Sequence, residues 1–167
     1  MTGLIRTIVT VVCLGIGATA LHAQGAQVAF GASPQESDLP VEVTADNLAV
    51  DQNDGTAIFT GGVVIAQGAM RLSAPWVKVH YVEDETGRID RLEAKQGVTL
   101  VSGEDAAEAA SADYNVQTGV ITMSGDVLLV QGRNAITGDN MFVDTVAGTA
   151  RMTGRVKTVL QPQSDTQ

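Results

Sequence analysis

A unit of strand, turn and glycine-bearing strand occurs three times in this chain, and that repeat constrains the fold more than any other feature. In the first unit Ala45-Asp46-Asn47-Leu48 leads through the Asn53-Asp54-Gly55 turn into Ile58-Phe59-Thr60-Gly61-Gly62-Val63. In the second, Ala112-Asp113-Tyr114 leads through Thr118-Gly119 into Ile121-Thr122-Met123-Ser124-Gly125-Asp126-Val127. In the third, Gly138-Asp139-Asn140 leads through Ala147-Gly148 into Ala150-Arg151-Met152-Thr153-Gly154-Arg155-Val156. The Asp-to-Gly interval is 15 residues in the first unit (46 to 61) and the third (139 to 154) but 12 in the second (113 to 125), which reads most simply as a three-residue change in turn length.

Short alternating runs separated by Gly, Asp and Asn predict an all-β protein of about sixteen short antiparallel strands. Composition agrees, because 22 Val, 17 Thr and 18 Gly outweigh 11 Leu and 3 Lys, which favours pleated, half-buried surfaces and turns over exposed helices. The central glycines mark bends or bulges where a strand passes from one sheet to another. Alternation then assigns faces. Thr122, Ser124 and Asp126 share the outward parity, leaving Ile121, Met123, Val127 and Leu129 inward. By register with Gly125, Phe59, Val63 and Ile65 point inward in the first unit, and Met152 and Val156 in the third. Glu104 to Ala110 has the Ala and Glu content of a helix but is short and adjoins Gly103, so a loop feeding a strand at Asp113 and Tyr114 is expected.

Met1 to Ala23 stand apart: Arg6 is their only charged side chain, and Thr7 to Ala20 are apolar or small. They read as a secretory signal peptide cut after Ala20 or Ala23, because the apolar run is nearer 15 residues than the ~20 that a spanning helix needs. Removing 23 residues leaves 167 − 23 = 144, with 9 cations, 19 anions and no cysteine, which suits a bacterial periplasm. Residues 24–40, punctuated by Gly25, Gly31, Pro34 and Pro40, are expected to be a flexible linker. The folded domain is expected over 41–160 and a disordered tail over 161–167.

The charge balance of 10 Lys+Arg against 19 Asp+Glu offers no basic stripe, so nucleic acid is excluded as a partner. From Gln24 onward the chain holds one histidine, His80, on the outward parity with Trp76 and Lys78, where a catalytic triad is hard to build. Asp51, Asn53, Asp54 and Gly55 start like a calcium loop, but Gly62 stands where the bidentate glutamate is needed. Glu83-Asp84-Glu85 reads as a solvated hairpin tip. No glycine loop precedes a helix to cradle phosphate. The chain is therefore expected to have no metal, no cofactor and no enzymatic activity.

Pro40-Val41-Glu42-Val43-Thr44-Ala45-Asp46, the Phe59 to Gly68 strand, and the Ser124-Gly125-Asp126-Val127 and Gly138-Asp139 echoes together resemble the OstA-like family of periplasmic lipopolysaccharide-transport proteins. The resemblance covers roughly Pro40 to Leu160. It implies an open β-jellyroll whose apolar groove carries the acyl chains of lipid A, with Val41 and Val43 on the N-terminal lining strand, Tyr114 and Val116 on a central one, and Leu100 as a further match. It also implies an LptC-like inner-membrane protein and an LptD-like outer-membrane receptor as partners, end-to-end self-association, and energy from a partner ATPase. The short Gln117-Thr118-Gly119 turn and the acidic charge depart from better-known members and bear on partner recognition. Alternatives are an LptC-like inner-membrane-anchored sibling, a ligand-free structural exported β-sandwich, and an enzyme using His80.

An inward lining of Val, Ile, Leu, Met and Phe suits any sandwich core and does not discriminate among these readings. Scarcity of bulk does, since aromatics are 4% of the chain and small side chains on facing sheets leave a slot. About ten buried methylenes at roughly 0.8 kcal/mol each give about 8 kcal/mol before ordering costs. Exposed backbone on Val41 to Ala45 and Arg155 to Leu160 is suited to strand addition, unless Arg155 and Lys157 act as gatekeepers.

Overall fold

The computed structural model describes residues 26–31, 39–51, 53–83, 87–161. The signal peptide expected over 1–23, most of the expected tail, and Asp84 and Glu85 lie outside them. The described chain is all-β, with eleven antiparallel strands: β1 (Ala26–Ala29), β2 (Glu42–Thr44), β3 (Asn47–Asp51), β4 (Thr56–Gln67), β5 (Met70–Tyr81), β6 (Ile89–Ser102), β7 (Asp105–Asn115), β8 (Val120–Gln131), β9 (Asn134–Asp144), β10 (Thr149–Thr153) and β11 (Lys157–Val159). They form one sheet in the order β1-β10-β9-β8-β7-β6-β5-β4-β2, with β3 on β4 and β11 on β9.

A single corner turns this sheet into a jellyroll. Register shifts fall at Thr60/Val63, Ser73/Trp76, Lys95/Val98, Glu108/Ser111 and Ser124/Val127, so every long strand from β4 to β8 is interrupted at one level. At that level alternate strands carry two successive residues of positive φ: Gly61 and Gly62, Gln96 and Gly97, Gly125 and Asp126, Gly154 and Arg155. Left-handed backbone is cheap for glycine, and the inserted residues bend the strand and raise its twist. The first half-sheet holds β3, β1, β10 and the pairing around 56–60, 76–81 and 120–124, while the second holds β2, β11 and the pairing around 63–67, 98–102 and 127–131. Counted as halves, β2 with β3, each of β4 to β9, and β10 with β11 account for the sixteen short strands expected; β1 is additional.

Four readings of the sequence are corrected. Asp105–Asn115 is one strand rather than a loop entering a strand, because alternation holds through it, with Ala107 and Ala109 buried and Glu108 exposed. The second repeat unit is in register with the others at Ala110 rather than at Asp113. The Asp46 N–H donates to the Gly61 carbonyl and the Asp139 N–H to the Gly154 carbonyl, both at 3.0 Å. A Cβ on Gly61 would lie 2.5 Å from Asp46 Oδ2, and one on Gly125 would lie 2.7 Å from the Cβ of Ala110. The matching interval is thus 110 to 125, again 15 residues, with alanine in place of aspartate and no change in turn length. Within the expected linker, β1 forms an ordered strand on β10, joining Ala26 to Met152 and Ala29 to Thr149. Val156 is exposed at 39% rather than buried, because it lies between β10 and β11, outside both strands, and leads into β11, whose three residues are all exposed at the margin of the second half-sheet.

Candidate functional site

Cross-strand register aligns the inward side chains in rows. Beside the corner of the first half-sheet, Phe59, Val77, Ala94, Ala112, Met123, Met141 and Met152 are successive neighbours on β4 to β10. One row further out runs through Ala57, Val79, Leu92, Tyr114, Ile121, Val143 and Ala150. In the second half-sheet Val43, Ile65, Leu72, Leu100, Ala107 and Leu129 form the matching row. Both half-sheets bury the same side of the pleat, so the rows enclose one apolar interior.

Of the residues singled out from sequence, Val63, Ile65, Leu100, Ile121, Met123, Val127 and Leu129 have no exposed surface, and Tyr114 is likewise buried. Val43, Phe59, Val41 and Val116 are partly buried against the same core. Val41 precedes β2, and with Val116 it lines a cleft of about 550 Å³ whose other walls are Leu39, Pro40, Gln67, Arg88, Ile89 and Gln117. Eight predicted residues thus share the interior, and Val41 and Val116 stand at one mouth of it.

Sequence reasoning missed three parts of this lining. Met141 completes a methionine row with Met123 and Met152, and flexible thioethers adapt to irregular apolar surfaces. Ala94, Ala107 and Ala112 leave little bulk where β6 and β7 pass the corner. A mostly polar row, Gln67, Ser102, Asp105, Gln131 and Asn134 with the apolar Met70 between the first two, runs along the free margin of the second half-sheet and borders the seam between the two halves. Across that seam the Tyr114 hydroxyl donates to Gln67 Oε1 at 2.5 Å, with both side chains buried. Burial pushes the Tyr114 phenol above its ordinary pKa, and a hydrogen bond with Thr145 opposes this. Alternation identifies apolar faces, but it cannot show that a glutamine at a strand end meets a tyrosine 47 residues away.

The outer face carries a cluster of charged side chains around Glu93. His80 points outward, its Nε2 3.5 Å from Glu93 Oε1, while Lys95 Nζ lies 3.1 Å from Glu93 Oε2 and 5.1 Å over the Trp76 ring. Arg91 joins Glu93 and donates to Asp113 Oδ2 at 2.6 Å. Burial alone would raise the Glu93 carboxyl, but the Lys95 hydrogen bond and the charges of Arg91, Lys95 and His80 outweigh it and hold the pKa below 4.5. A depressed folded-state pKa contributes stability above the unfolded value and loses it as pH falls through the folded one. Glu93→Gln is therefore expected to cost about 1 kcal/mol at pH 7 and progressively less as the pH falls through the folded-state pKa of Glu93, read from urea midpoints across an acid pH series. The Asp51 carboxylate accepts from the Asn53 and Asp54 amides at 2.9 and 3.3 Å, closing its own turn.

Comparison with known proteins agrees with this architecture. The family described as LptA/(LptD N-terminal domain) LPS transport protein matches residues 42–149. An uncharacterized protein of Rhizobium meliloti is 32% identical over 157 residues, 88% of this chain and 81% of its own length. The lipopolysaccharide export system protein LptH of Pseudomonas aeruginosa is 25% identical over 156 residues, 84% of this chain and 88% of its own. The crystal structure of LptH, described as the LptA homologous periplasmic component of the conserved lipopolysaccharide transport device, superposes with a TM-score of 0.68 at 18% identity, covering 77% of this chain and all of that one. The jellyroll fold is thereby shared.

Proposed function

Because the chain belongs to the LptA/(LptD N-terminal domain) family of lipopolysaccharide transport proteins, we propose that it is a periplasmic, non-enzymatic carrier that holds the acyl chains of lipid A between its two half-sheets. One observation carries this reading: the two inward rows of the first half-sheet run unbroken from β4 to β10, so the apolar surface extends across seven consecutive strands. A tube of that kind suits a cargo that slides through, and continuity with a neighbour's tube lets it pass on without meeting water.

The interior side chains have almost no exposed surface, so the seam has to part to admit a chain. Loss of the Tyr114 to Gln67 bond, at a net worth of about 1 kcal/mol, is small against about 8 kcal/mol from ten buried methylenes. The methionine row and the alanines then yield space. Lipopolysaccharide would arrive from an LptC-like inner-membrane protein, driven by a partner ATPase, and leave to an LptD-like outer-membrane receptor. The free edges of β2, β3 and β11 suit strand addition by such partners or by further copies.

Native mass spectrometry of the protein purified from a lipopolysaccharide-producing cell tests the carrier reading. The parent is expected to carry a lipid A-containing adduct, and Val43→Glu, folded by circular dichroism, to lose it. An adduct that survives in folded Val43→Glu rejects the groove. A ligand-free parent, under conditions that preserve a known carrier's adduct, points instead to a packed structural sandwich.

A further inference from the structure

We propose that residues 26–30 are a displaceable plug: in the single chain they close the β10 edge and the end of the apolar interior, and β3 of a second copy takes their place. The inference rests on the end-to-end association proposed above and adds what controls it.

The half-sheets end differently. In the second half-sheet the terminal strands are β2 and β11, and no described strand lies beyond either. The first half-sheet ends at β3 on one side, but on the other β10 is covered by β1, the one described strand that pairs far out of chain order. Neighbours alternate in sense from β3 through to β10, so β3 of a copy translated along the sheet meets β10 antiparallel. β1 has the same sense on β10. It therefore occupies the position that a second copy's β3 would fill.

Length and side chains fit the exchange. β3 and β10 have five residues each, whereas β1 has four. All five residues of β3 are exposed, Leu48 at 57% and Val50 at 62%, on an edge without proline or lysine to discourage pairing. Within the chain Leu48 pairs Phe59 and Val50 pairs Ala57, which places both at the start of the inward rows that end at Met152 and Ala150. Full-length antiparallel pairing of β3 on β10 would set Leu48 against Met152 and Val50 against Ala150, where β1 places Ala26 and Val28. Both rows would then continue into the next copy. A head-to-tail contact of this kind does not close on itself and extends to a chain.

The plug is specific but small. Phe30 enters the core at 5% exposure, and its N–H donates to the Gly148 carbonyl at 3.0 Å. The polar seam row holds the adjacent backbone: Gln131 Nε2 donates to the Ala29 carbonyl at 2.6 Å, and the Gly31 N–H donates to Asp105 Oδ2 at 2.8 Å. With one large buried side chain, this segment closes an apolar end yet is easily exchanged for a longer strand.

A cross-strand disulfide tests the exchange. Ala29 and Thr149 are partners next to the hydrogen-bonded Phe30 and Gly148 pair, so Ala29→Cys with Thr149→Cys, in a Cys13→Ser background, places two thiols opposite each other. Sedimentation velocity on the exported protein is expected to show monomer when oxidised and concentration-dependent chains when reduced. Phe30→Ala is expected to tighten association about tenfold, because affinity scales with the fraction of molecules whose edge is free. An oxidised protein that assembles like the reduced one, or a Phe30→Ala protein that assembles no more tightly than the parent, overturns the plug. Lipopolysaccharide adducts are read separately, so their absence from every form counts against the carrier while assembly still decides the plug.

Discussion

Gly61→Ala is expected to lower the unfolding free energy by about 3 kcal/mol, whereas Gly62→Ala costs about 1 kcal/mol. The two positions are adjacent and both lie at positive φ, 80° and 52°, so each alanine carries the left-handed penalty of roughly 1–2 kcal/mol. Only at Gly61 is there also a collision, because its Cβ would sit 2.5 Å from Asp46 Oδ2 and 2.9 Å from Asp46 Cβ, while nothing lies within 4 Å at Gly62. Asp46 is held by the backbone bond from its own N–H to the Gly61 carbonyl, so it cannot retreat without opening the pairing of β2 and β3 with β4. Urea denaturation of the two variants separates the terms. Equal losses would mean that the close approach of Asp46 contributes nothing and that the corner depends on φ alone.

That pair also explains how the sequence discloses the corner and conceals its register. A glycine inside an alternating strand is visible because an ordinary strand position gains nothing from it, and Gly61, Gly125 and Gly154 do stand at the bend. The partner that presses on the glycine is visible only while it remains aspartate. At Ala110 it is not, and the nearest aspartate, Asp113, stands three residues further on, where it accepts from Arg91 instead. Faces were legible for a similar reason: seven of the residues assigned to the interior by parity are buried and Phe59 is partly so, whereas Val156, between β10 and β11 and outside both strands, is exposed. β1 was illegible because four residues carry too little pattern, and its partner Met152 is 126 positions away from Ala26 (152 − 26). The Ala-rich start of β7 reads as helix by propensity, yet β6 and β8 pair with it on both sides, and strand pairing outweighs a few tenths of a kcal/mol per residue.

Ala112→Phe is expected to weaken lipopolysaccharide binding by about two orders of magnitude while leaving the protein folded. Ala112 faces inward on β7 between Ala94 and Met123, at the level where the lining is smallest. A phenyl ring there fills the space of about four methylenes, and at roughly 0.8 kcal/mol each the loss is about 3 kcal/mol, or a hundredfold in affinity. Overpacking costs roughly 1–3 kcal/mol of stability, moderated here because Met123 and Met141 can shift to receive the ring. Ala106, on the outward parity of the same strand, provides the control, since Ala106→Phe adds the same bulk without entering the interior. Titration followed by native mass spectrometry compares the three proteins. Binding that falls only in Ala112→Phe places the acyl chains between the half-sheets; binding that is unchanged in a folded Ala112→Phe protein places the cargo elsewhere and leaves the interior as an ordinary packed core.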